Sequence, residues 1–344
     1  MKLSLCIATY NEEQNIHYPL DSVYDLVDEV VLVDGGSTDK TVEKAKSYGK
    51  KVRIFIEDNP SMFHINKQKA IERARGEWIL QLDADESLSP ELKEEIKTLL
   101  NPKSETRNPF TVNPFRMNPK QYQNSYDKNS KHFDHSDFEN SNLFRASNFD
   151  IRNYVAYYLP RKNFFLNRFL TKGGQYPDYT IRLYRNGFAR FPCKDVHENV
   201  EIINPKSKIQ ISNQIQNPND KISNNNLTMK QFNNETVGYL KYPILHYADP
   251  TFSRFLKRWD RYTSLEANKL LQEVKSQKSK VKSLTMFIDY FFIKPLVWFF
   301  LAYFRHRGYV DGFPGFVFAL FSSLRFWAIF IKFYSHKNQL TQLQ

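Results

Sequence analysis

Two carboxylates stand two residues apart in Asp83-Ala84-Asp85, directly after the apolar run Trp78–Leu82. In extended backbone this spacing places both carboxylates on one side of the chain. Two unit charges about 4 Å apart repel by about 1 kcal/mol in water and by more where solvent is excluded, so a cation or a hydrogen-bond network must compensate them. Mn²⁺ or Mg²⁺ is the expected cation, because hard divalent ions prefer oxygen ligands and share phosphate oxygens. The alternative is that Asp83 and Asp85 have a structural role and cap a turn that precedes a helix beginning at Ser89.

Polar residues also follow the first two apolar runs of the chain. They include Thr9, Asn11, Glu12, Asp34 and Ser37. Where a strand gives way to a helix, backbone N–H groups and carboxylates of this kind meet a nucleotide. We expect Asp34 to accept hydrogen bonds from a ribose or a base. For Ser37 and the two residues after it, the alternative is helix N-capping.

The elements that must position these side chains are indicated by the pattern of residues 1–100. Short apolar runs alternate with helical patterns, which predicts an α/β domain with a Rossmann-like, mostly parallel sheet flanked by helices. Strands are predicted at Leu3–Ala8, Glu29–Val33, Val52–Ile56 and Trp78–Leu82. Helices are predicted at Asn15–Leu26, Thr38–Tyr48 and Ile65–Arg75. Gly49 and Gly76 are interpreted as C-terminal helix stops, and a nucleotide is expected at the carboxyl ends of the strands.

Two Asn-rich stretches divide the rest of the chain. Residues 101–149 and 204–234 lack helical or strand periodicity, and we interpret both as insertions. Residues 1–100 are predicted to be the nucleotide-binding half of the domain, and residues 150–250 its second half. Residues 251–344 are predicted to be helical, with a break near Arg305–Pro314.

The predicted C-terminal helices are basic and aromatic. Residues 251–344 hold 15 Lys and Arg against 5 Asp and Glu, whereas the preceding residues hold 34 against 32. Their longest charge-free runs are 10 and 13 residues, short of the ~20 that span a bilayer. We therefore expect these helices to lie on an anionic membrane surface, with a homodimer interface as the alternative. No nucleic-acid partner is expected, because no nucleic-acid-binding motif accompanies the charge.

Cysteine usage and the N-terminal run bear on the compartment. The two cysteines, Cys6 and Cys193, imply no disulfide framework and match no usual zinc spacing, which favours a reducing compartment. The first apolar run is too short for a signal peptide. The expected location is the cytoplasm, peripherally on the inner face of the plasma membrane.

Longer segments carry a more specific pattern than any single pair of residues. They are Thr9–Glu12, Val33–Thr41, Arg75–Ile79 and Leu82–Glu86. Their order and spacing resemble the inverting family 2 glycosyltransferases of GT-A fold. A second group resembles the branch that contains lipopolysaccharide-core glucosyltransferases: Pro160–Asn163, Gly173-Gly174, Tyr176–Asp178, Ile181–Arg185, Val196–Glu198 and Leu245–Tyr247.

The resemblance implies a site for a nucleotide-sugar donor. Its residues here are Thr9, Asn11, Glu12, Asp34, Ser37, Lys67, Asp83, Ala84 and Asp85. It implies that Lys67 meets the diphosphate, although a single lysine is commonly a solvated position on a helix. It implies metal ligation by Asp83, Asp85 and His197.

The resemblance also implies an acceptor side. Inverting transfer needs one general base, and Asp178 corresponds to the catalytic aspartate of the family, although Pro177-Asp178 is also a common turn sequence. Arg182 and Arg185 are candidates for binding phosphate or acceptor, with surface ion pairing as the alternative. Glu198 is a candidate for acceptor binding or an alternative base.

These observations predict a metal-dependent hexosyltransferase. It would move a sugar with inversion from a nucleoside diphosphate, UDP being expected, to a saccharide acceptor. A lipid-linked precursor of a lipopolysaccharide-core-like or other cell-surface glycan is the acceptor that the resemblance suggests. The alternatives are a transferase acting on a protein or peptide, and a non-catalytic nucleotide-binding membrane scaffold.

Overall fold

The computed structural model describes residues 2–101, 154–193, 199–203, 237–276 and 283–342. The first hundred residues form β1 (Leu3–Thr9), α1 (His17–Val23), β2 (Glu29–Asp34), α2 (Thr41–Ser47), β3 (Val52–Ile56), α3 (His64–Arg73), β4 (Trp78–Gln81), β5 (Glu86–Leu88) and α4 (Pro90–Leu100). The strands that follow are β6 (Ala156–Phe165), β7 (Arg168–Phe169), β8 (Asp178–Arg185), β9 (Ala189–Arg190), β10 (Glu201–Ile202), β11 (Val237–Tyr239) and β12 (Ile244–Asp249).

The C-terminal residues are helical, as the sequence predicts. The helices are α5 (Phe252–Ser276), α6 (Ser283–Ile288), α7 (Lys294–Phe300) and α8 (Gly312–Gln342). Two π-helical turns, Asp289–Ile293 and Leu301–Arg305, join and extend α6 and α7, and a 3₁₀ turn at Gly308–Asp311 precedes α8. The predicted break near Arg305–Pro314 is confirmed at this turn.

The central sheet has the strand order β3-β2-β1-β4-β8-β6-β12-β5, with β7 and β11 paired to β6. Strands β1 to β4 are mutually parallel, while β8 runs antiparallel to β4. The apolar residues of β1 and β2 are fully buried, as expected for strands that are covered on both faces. Strands β2 and β3 lie on one side of β1 and β4 lies on the other, so the order in which the chain adds strands to the sheet reverses at β1. Folds of this kind bind ligands at that point. The predicted α/β class is therefore confirmed.

Each predicted strand and helix of the first hundred residues is present, with shifted ends. Helix α2 begins at Thr41 and not at Thr38, because the Asp39 carboxylate accepts the Thr41 N–H at 3.0 Å and the Thr38 N–H donates to Asn11 Oδ1 at 2.8 Å. The N-cap residue of α2 is Lys40, which forms no side-chain cap hydrogen bond, so Asp39 supports the first turn from the residue before the cap. Gly49 has φ +109° and follows α2, which confirms it as a helix stop.

Gly76 has a different role from the one predicted. Helix α3 ends at Arg73, and Ala74 is already extended. A Cβ at position 76 would lie 2.5 Å from Ser4 Oγ and 2.8 Å from the Ser4 nitrogen. The Gly76 N–H also donates to Ser4 Oγ at 2.8 Å. Glycine is required here because the backbone passes directly against β1, and not because a helix must stop.

The chain divides into two compact units. Unit 1 comprises Met1–Pro160 and Tyr179–Ile244, and unit 2 comprises Arg161–Asp178 and Leu245–Gln344. In unit 1 the core is formed by the sheet and its flanking helices. In unit 2, α5 is fixed to α8 by Phe255 against Phe321 and by the Trp259 indole N–H, which donates to the Phe321 carbonyl at 3.0 Å. The fourfold division expected from the sequence stays a prediction, since most of both Asn-rich stretches lies outside the described residues.

Two helical segments of unit 2 have the length and composition of membrane-crossing helices, namely Leu284–Arg305 and Gly308–His336. The lengths of the charge-free runs therefore underestimate the lengths of these helices, because charged residues interrupt the runs without ending the helix. Only 6% of the most apolar stretch of the first segment is buried within the protein, against 33% of that of the second. Large apolar side chains cover this surface, among them Leu296 and Phe313.

The contact between Gly76 and Ser4 can be tested by Gly76→Ala. Because the new methyl group meets backbone atoms of β1, we expect the free energy of unfolding to fall by about 1–3 kcal/mol. Urea unfolding with an unchanged denaturant slope measures this loss. Lys46→Ala, on the exposed face of α2, is the control and should stay within about 0.5 kcal/mol of the parent. Equal stability of both variants would show that β1 yields to the added methyl group.

Candidate active site

Asp34 organises the loops that follow β1 and β2. Its carboxylate is fully buried and accepts the Ser37 N–H at 2.7 Å and the Ser37 hydroxyl at 2.5 Å. The Thr9 hydroxyl donates to the same carboxylate at 3.0 Å. Asp34 thus holds the two loops in one conformation, and its expected bonds to a ribose or base stay a prediction.

The two loops are also joined directly. Asn11, with φ +55°, donates its N–H to Ser37 Oγ at 2.8 Å. The Glu12 N–H donates to Thr41 Oγ1 at 2.8 Å, and the Glu12 carboxylate accepts from the Asn15 amide at 2.6 Å. The predicted residues at the first two strand ends are therefore brought together at the carboxyl edge of the sheet.

The segment Asp83-Ala84-Asp85 is a turn and not extended backbone. The Glu86 N–H donates to the Asp83 carbonyl at 3.0 Å, and the Glu86 carboxylate accepts the Asp83 N–H at 3.0 Å. The prediction that an extended strand aligns both carboxylates is therefore wrong, because a β-turn starts at Asp83. This turn stands at the carboxyl end of β4, and Ser89 caps the helix that follows, accepting the Leu92 N–H at 3.2 Å.

Arg182 lies behind this turn as a buried cation. Its side chain is 7% exposed, and it donates to Asp83 Oδ2 and to Glu86 Oε1, each at 2.8 Å. It also donates to the Gln81 side-chain oxygen. Arg182 stands on β8, which is antiparallel to β4. The guanidinium therefore fixes the turn to the neighbouring strand, and the alternative of a surface ion pair is wrong because the pair is buried.

Lys67 reaches the same carboxylate from helix α3. Its ammonium lies 2.5 Å from Asp83 Oδ1, and its side chain is 9% exposed. The ammonium also lies 4.9 Å from the centre of the Phe63 ring. The alternative of a solvated lysine is therefore wrong, and Lys67 stands beside the carboxylate with which the sequence groups it.

The electrostatics of this cluster follow from its burial and its opposed charges. Burial acts to raise the pKa of Asp83, but the charges of Arg182 and Lys67 overcome it and hold this pKa well below its ordinary value. Burial lowers the pKa of the Lys67 ammonium, and Asp83 opposes that effect. Burial likewise acts to lower the pKa of Arg182, but Asp83 and Glu86 raise it above its ordinary value. Asp83 is therefore an anion at neutral pH.

The compensation that Asp83 requires comes from protein cations. Within the described residues, no group of three or more His, Cys, Asp or Glu side chains is arranged to hold a metal ion. The segment Asp83-Ala84-Asp85 nevertheless supplies carboxylate oxygens, and Mg²⁺ is commonly held by one or two carboxylates together with substrate phosphates. These carboxylates thus suit an ion that is also bound by the phosphates of a substrate. They do not form a binding site made of protein ligands alone. His197, the expected third ligand, lies outside the described residues, as does Glu198.

Asp178 ends the first of the two segments of unit 2 and is the first residue of β8. Arg161 Nε and Nη2 donate to its Oδ2 at 2.9 and 2.6 Å. Its side chain is 41% exposed, so the carboxylate is oriented by the guanidinium and remains open to solvent. An oriented, accessible carboxylate can accept a proton from a hydroxyl group.

Arg185 is not part of the cluster. It stands opposite Trp78, at the amino end of β4, with its guanidinium 5.2 Å from the Trp78 ring centre and 3.5 Å from Glu77. Because Asp83 follows the carboxyl end of β4, Arg185 lies at the opposite edge of the sheet. The alternative of pairing near the surface therefore describes Arg185, and its predicted contact with phosphate or acceptor finds no support here.

Sequence reasoning missed three residues of the site. Gln81 and Glu86 share Arg182 with Asp83, and Arg161 orients Asp178. Glu86 carried a signal, since a third acid beside two others calls for a nearby cation. Arg161 carried none, because its pairing depends on how β6 and β8 are placed.

Comparisons with known proteins bear on the family to which the chain belongs. The family model described as glycosyl transferase family 2 matches residues 4–185. An uncharacterized glycosyltransferase of Rickettsia bellii is 38% identical over 107 residues, which are 31% of this chain and 35% of the relative. The SPbeta prophage-derived glycosyltransferase SunS of Bacillus subtilis is 39% identical over 90 residues, 26% of this chain and 21% of SunS. The chain thus spans about a third of the length of the curated relatives it matches first.

Solved structures of bacterial enzymes are also similar. S. aureus TarS 1-349 in complex with UDP-GlcNAc is 14% identical and aligns over 100% of this chain and 93% of TarS, with a TM-score of 0.39. Glucosyl-3-phosphoglycerate synthase from Mycobacterium tuberculosis, in complex with Mn²⁺ and UDP-glucose, is 21% identical over 31% of this chain and 40% of that enzyme, with a TM-score of 0.25. Both TM-scores are low, and neither likeness assigns a ligand to this chain. The family match, which covers more than half of the residues, establishes that the chain belongs to glycosyl transferase family 2.

Proposed function

We propose that this chain is an inverting glycosyltransferase that moves a sugar from a nucleoside diphosphate to a saccharide acceptor. The observation that carries the proposal is the Asp83 turn at the carboxyl end of β4, held by Lys67 and Arg182. It stands on the strand next to β1, whose end loop is joined to that of β2. Parallel α/β sheets bind nucleotides at such a position.

The donor's groups find suitable partners among these residues. Backbone N–H groups and hydroxyls of the Thr9–Glu12 and Asp34–Ser37 loops suit the nucleoside, and UDP is the nucleotide that the family resemblance suggests. The Lys67 ammonium suits the diphosphate, since a point charge can follow phosphate oxygens. Asp83 holds Lys67 in place until the donor enters.

A divalent ion, Mn²⁺ or Mg²⁺, would be held by Asp85 and Asp83 together with the donor phosphates. When bound, it supplies charge stabilisation for the departing diphosphate. The protein's own contribution is to fix the turn that carries both carboxylates, and Arg182 and Glu86 do this from behind. His197 would be a further ligand.

Asp178 acts as the general base. Its carboxylate accepts the proton of the acceptor hydroxyl while that oxygen bonds to the anomeric carbon of the sugar. The bond from that carbon to the diphosphate oxygen breaks, and the electron pair leaves with the diphosphate, so the configuration inverts. Arg161 keeps the Asp178 carboxylate oriented. Glu198 would assist in binding the acceptor.

The acceptor is a saccharide on a lipid-linked precursor of a lipopolysaccharide-core-like or other surface glycan. The exposed apolar side chains of Leu284–Arg305 suit a membrane. Inside this segment Asp289 pairs with Lys294 at 2.8 Å, and both are partly exposed. A charged pair near the middle of a helix is costly in hydrocarbon, which favours a helix lying at the cytoplasmic surface of the membrane.

Donor chemistry is tested by measuring diphosphate release from a panel of nucleotide sugars with Mn²⁺, Mg²⁺ or EDTA. We expect release from a UDP-sugar that needs the metal. In Asp85→Ala it should fall at least roughly 100-fold, because the ion contributes several kcal/mol to stabilising the developing charge. Asp85 is the informative position, since Asp83→Ala leaves Lys67 without its carboxylate and Arg182 with only Glu86, and destabilises the fold by up to about 3–5 kcal/mol.

The matched control for Asp85→Ala is Glu94→Ala, which removes a carboxylate that is 63% exposed on α4. It should leave both release and stability unchanged. A folded Asp85→Ala variant with full metal-dependent release would refute the metal assignment. A wild-type protein that binds membranes but neither hydrolyses nor transfers any donor sugar would be a scaffold and not an enzyme.

The base is tested by Asp178→Asn, which keeps an oxygen for Arg161 but cannot accept the hydroxyl proton. We expect transfer to acceptor to slow by roughly 10²–10⁴-fold while the Kd for the donor is unchanged. Glu201→Gln is the matched control, since Glu201 also forms a partly exposed pair with an arginine, Arg190. Unimpaired turnover in Asp178→Asn, measured with a saturating acceptor, would assign the base elsewhere.

Membrane association is tested by flotation with vesicles that contain anionic lipid. The double change Leu296→Glu and Phe300→Glu alters two side chains that are more than half exposed. Vesicle binding should fall about tenfold or more, because each side chain contributes ~1.5 kcal/mol or more when buried. The control is Ile56→Glu, at an equally exposed apolar residue of unit 1. Resistance of the wild-type protein to alkaline extraction would instead indicate a membrane-spanning hairpin.

A further inference from the structure

A buried carboxylate in unit 2 holds the loop that leads to Asp178. Asp311 is 1% exposed and belongs to the 3₁₀ turn Gly308–Asp311, which precedes α8. Its Oδ2 accepts the backbone N–H groups of Thr171 and Lys172 at 2.9 and 2.8 Å, and its Oδ1 accepts the Thr171 hydroxyl at 2.7 Å. Three hydrogen bonds to this one side chain therefore tie the loop firmly to the turn.

Glycines allow the loop to approach this turn closely. The Gly173 N–H donates to the His306 carbonyl at 2.8 Å. A Cβ on Gly173, which has φ +68°, would lie 3.5 Å from the Gly308 Cα. A Cβ on Gly315 would lie 2.0 Å from the Gly308 carbonyl oxygen, so the turn is itself in tight backbone contact with α8. The loop is thus seated on the break between the helices by backbone contacts as well as by Asp311.

The segment from Thr171 to Asp178 is therefore fixed at both ends. At its start Asp311 binds Thr171 and Lys172, and at its end Arg161 binds Asp178 at 2.6 Å. Only three residues separate Gly174 from Asp178, so the chain can extend at most about 14 Å between them. A shift of the first anchor by an ångström would consequently be felt at the carboxylate.

We infer that Asp311 is a positioning residue for the reaction. Asp311 fixes the loop to the 3₁₀ turn Gly308–Asp311, and the loop in turn determines the position of the Asp178 carboxylate. The inference rests on the proposed function, because it assigns to Asp311 the alignment of the base that this function requires. It also joins the acceptor side of the site to the helices that meet the membrane, so that both are carried by one structural unit.

The test compares Asp311→Ala with Asp311→Asn in the full chain. Alanine removes every acceptor for the loop, whereas asparagine retains an oxygen for the Thr171 and Lys172 N–H groups. We expect kcat for transfer to fall roughly 10- to 100-fold in Asp311→Ala and to recover most of that loss in Asp311→Asn. The KM for the donor and the Kd for UDP should stay unchanged in both. Glu266→Ala, at an exposed acidic residue of α5 in unit 2, is the matched control and should transfer at the wild-type rate.

A second measurement does not depend on activity. Hydrogen exchange of a peptide covering residues 168–176 should be about tenfold faster in Asp311→Ala than in the wild type, and near the wild-type rate in Asp311→Asn. Thr171→Val, which removes only the hydroxyl bond, should lie between them. Such faster exchange, together with a lower kcat at constant donor affinity, supports the inference.

Several outcomes overturn it. They are unchanged transfer in Asp311→Ala, unchanged exchange in that variant, and an equal loss of donor affinity and kcat, which would indicate a general loss of structure. An inactive wild-type protein would refute the proposed function, and the positioning role with it. If the wild type is active and Asp311→Ala changes neither transfer nor hydrogen exchange, only the positioning role is refuted.

Discussion

The ion pairs of Arg182 with Asp83 and Glu86 are the interaction on which the candidate site depends. The guanidinium is almost fully buried, so it requires nearby carboxylates to offset the loss of its hydration. Arg182 and Asp83 are 99 residues apart in sequence and meet because β8 lies antiparallel to β4. The turn that contains Asp83-Ala84-Asp85 is therefore held by the guanidinium of Arg182, which the pairing of β8 with β4 places beside it. Loss of either carboxylate would leave a buried cation, which makes the site and the stability of the sheet inseparable.

This arrangement changes the chemical meaning of the two aspartates. Both oxygens of Asp83 already face cations, Lys67 at one and Arg182 at the other. Asp83 is thus an ionised group whose position in the turn is fixed by its two cations. Any ion bound by Asp85 would share its shell with phosphate oxygens and stand beside Lys67. Metal and lysine would then act on the same diphosphate.

Much of this was accessible from the sequence, for reasons that differ between elements. The strands β1, β2 and β4 were predictable because their apolar runs are almost entirely buried, and the residues at their ends were predictable because nucleotide-binding loops occur there. The Asp83–Glu86 turn was not predictable from spacing, since it is stabilised by Glu86 and by a residue of a distant strand. Gly76 was misinterpreted because the constraint on it, the Ser4 backbone, belongs to another strand. Local pattern identifies the elements, whereas long-range contacts decide how their ends are shaped.

The C-terminal helices show the same difference between what local pattern identifies and what long-range contacts decide. Counting charge-free residues suggested segments too short to cross a bilayer, yet Asp289 and Lys294 pair within a helical segment that is long and apolar enough to do so. The break between the helices is no mere interruption, because Asp311 and the surrounding glycines receive the loop that leads to Asp178. Unit 2 therefore combines an apolar surface and the proposed base in one compact body. A lipid-linked acceptor needs both of these, since its lipid must rest in the membrane while its hydroxyl reaches a carboxylate.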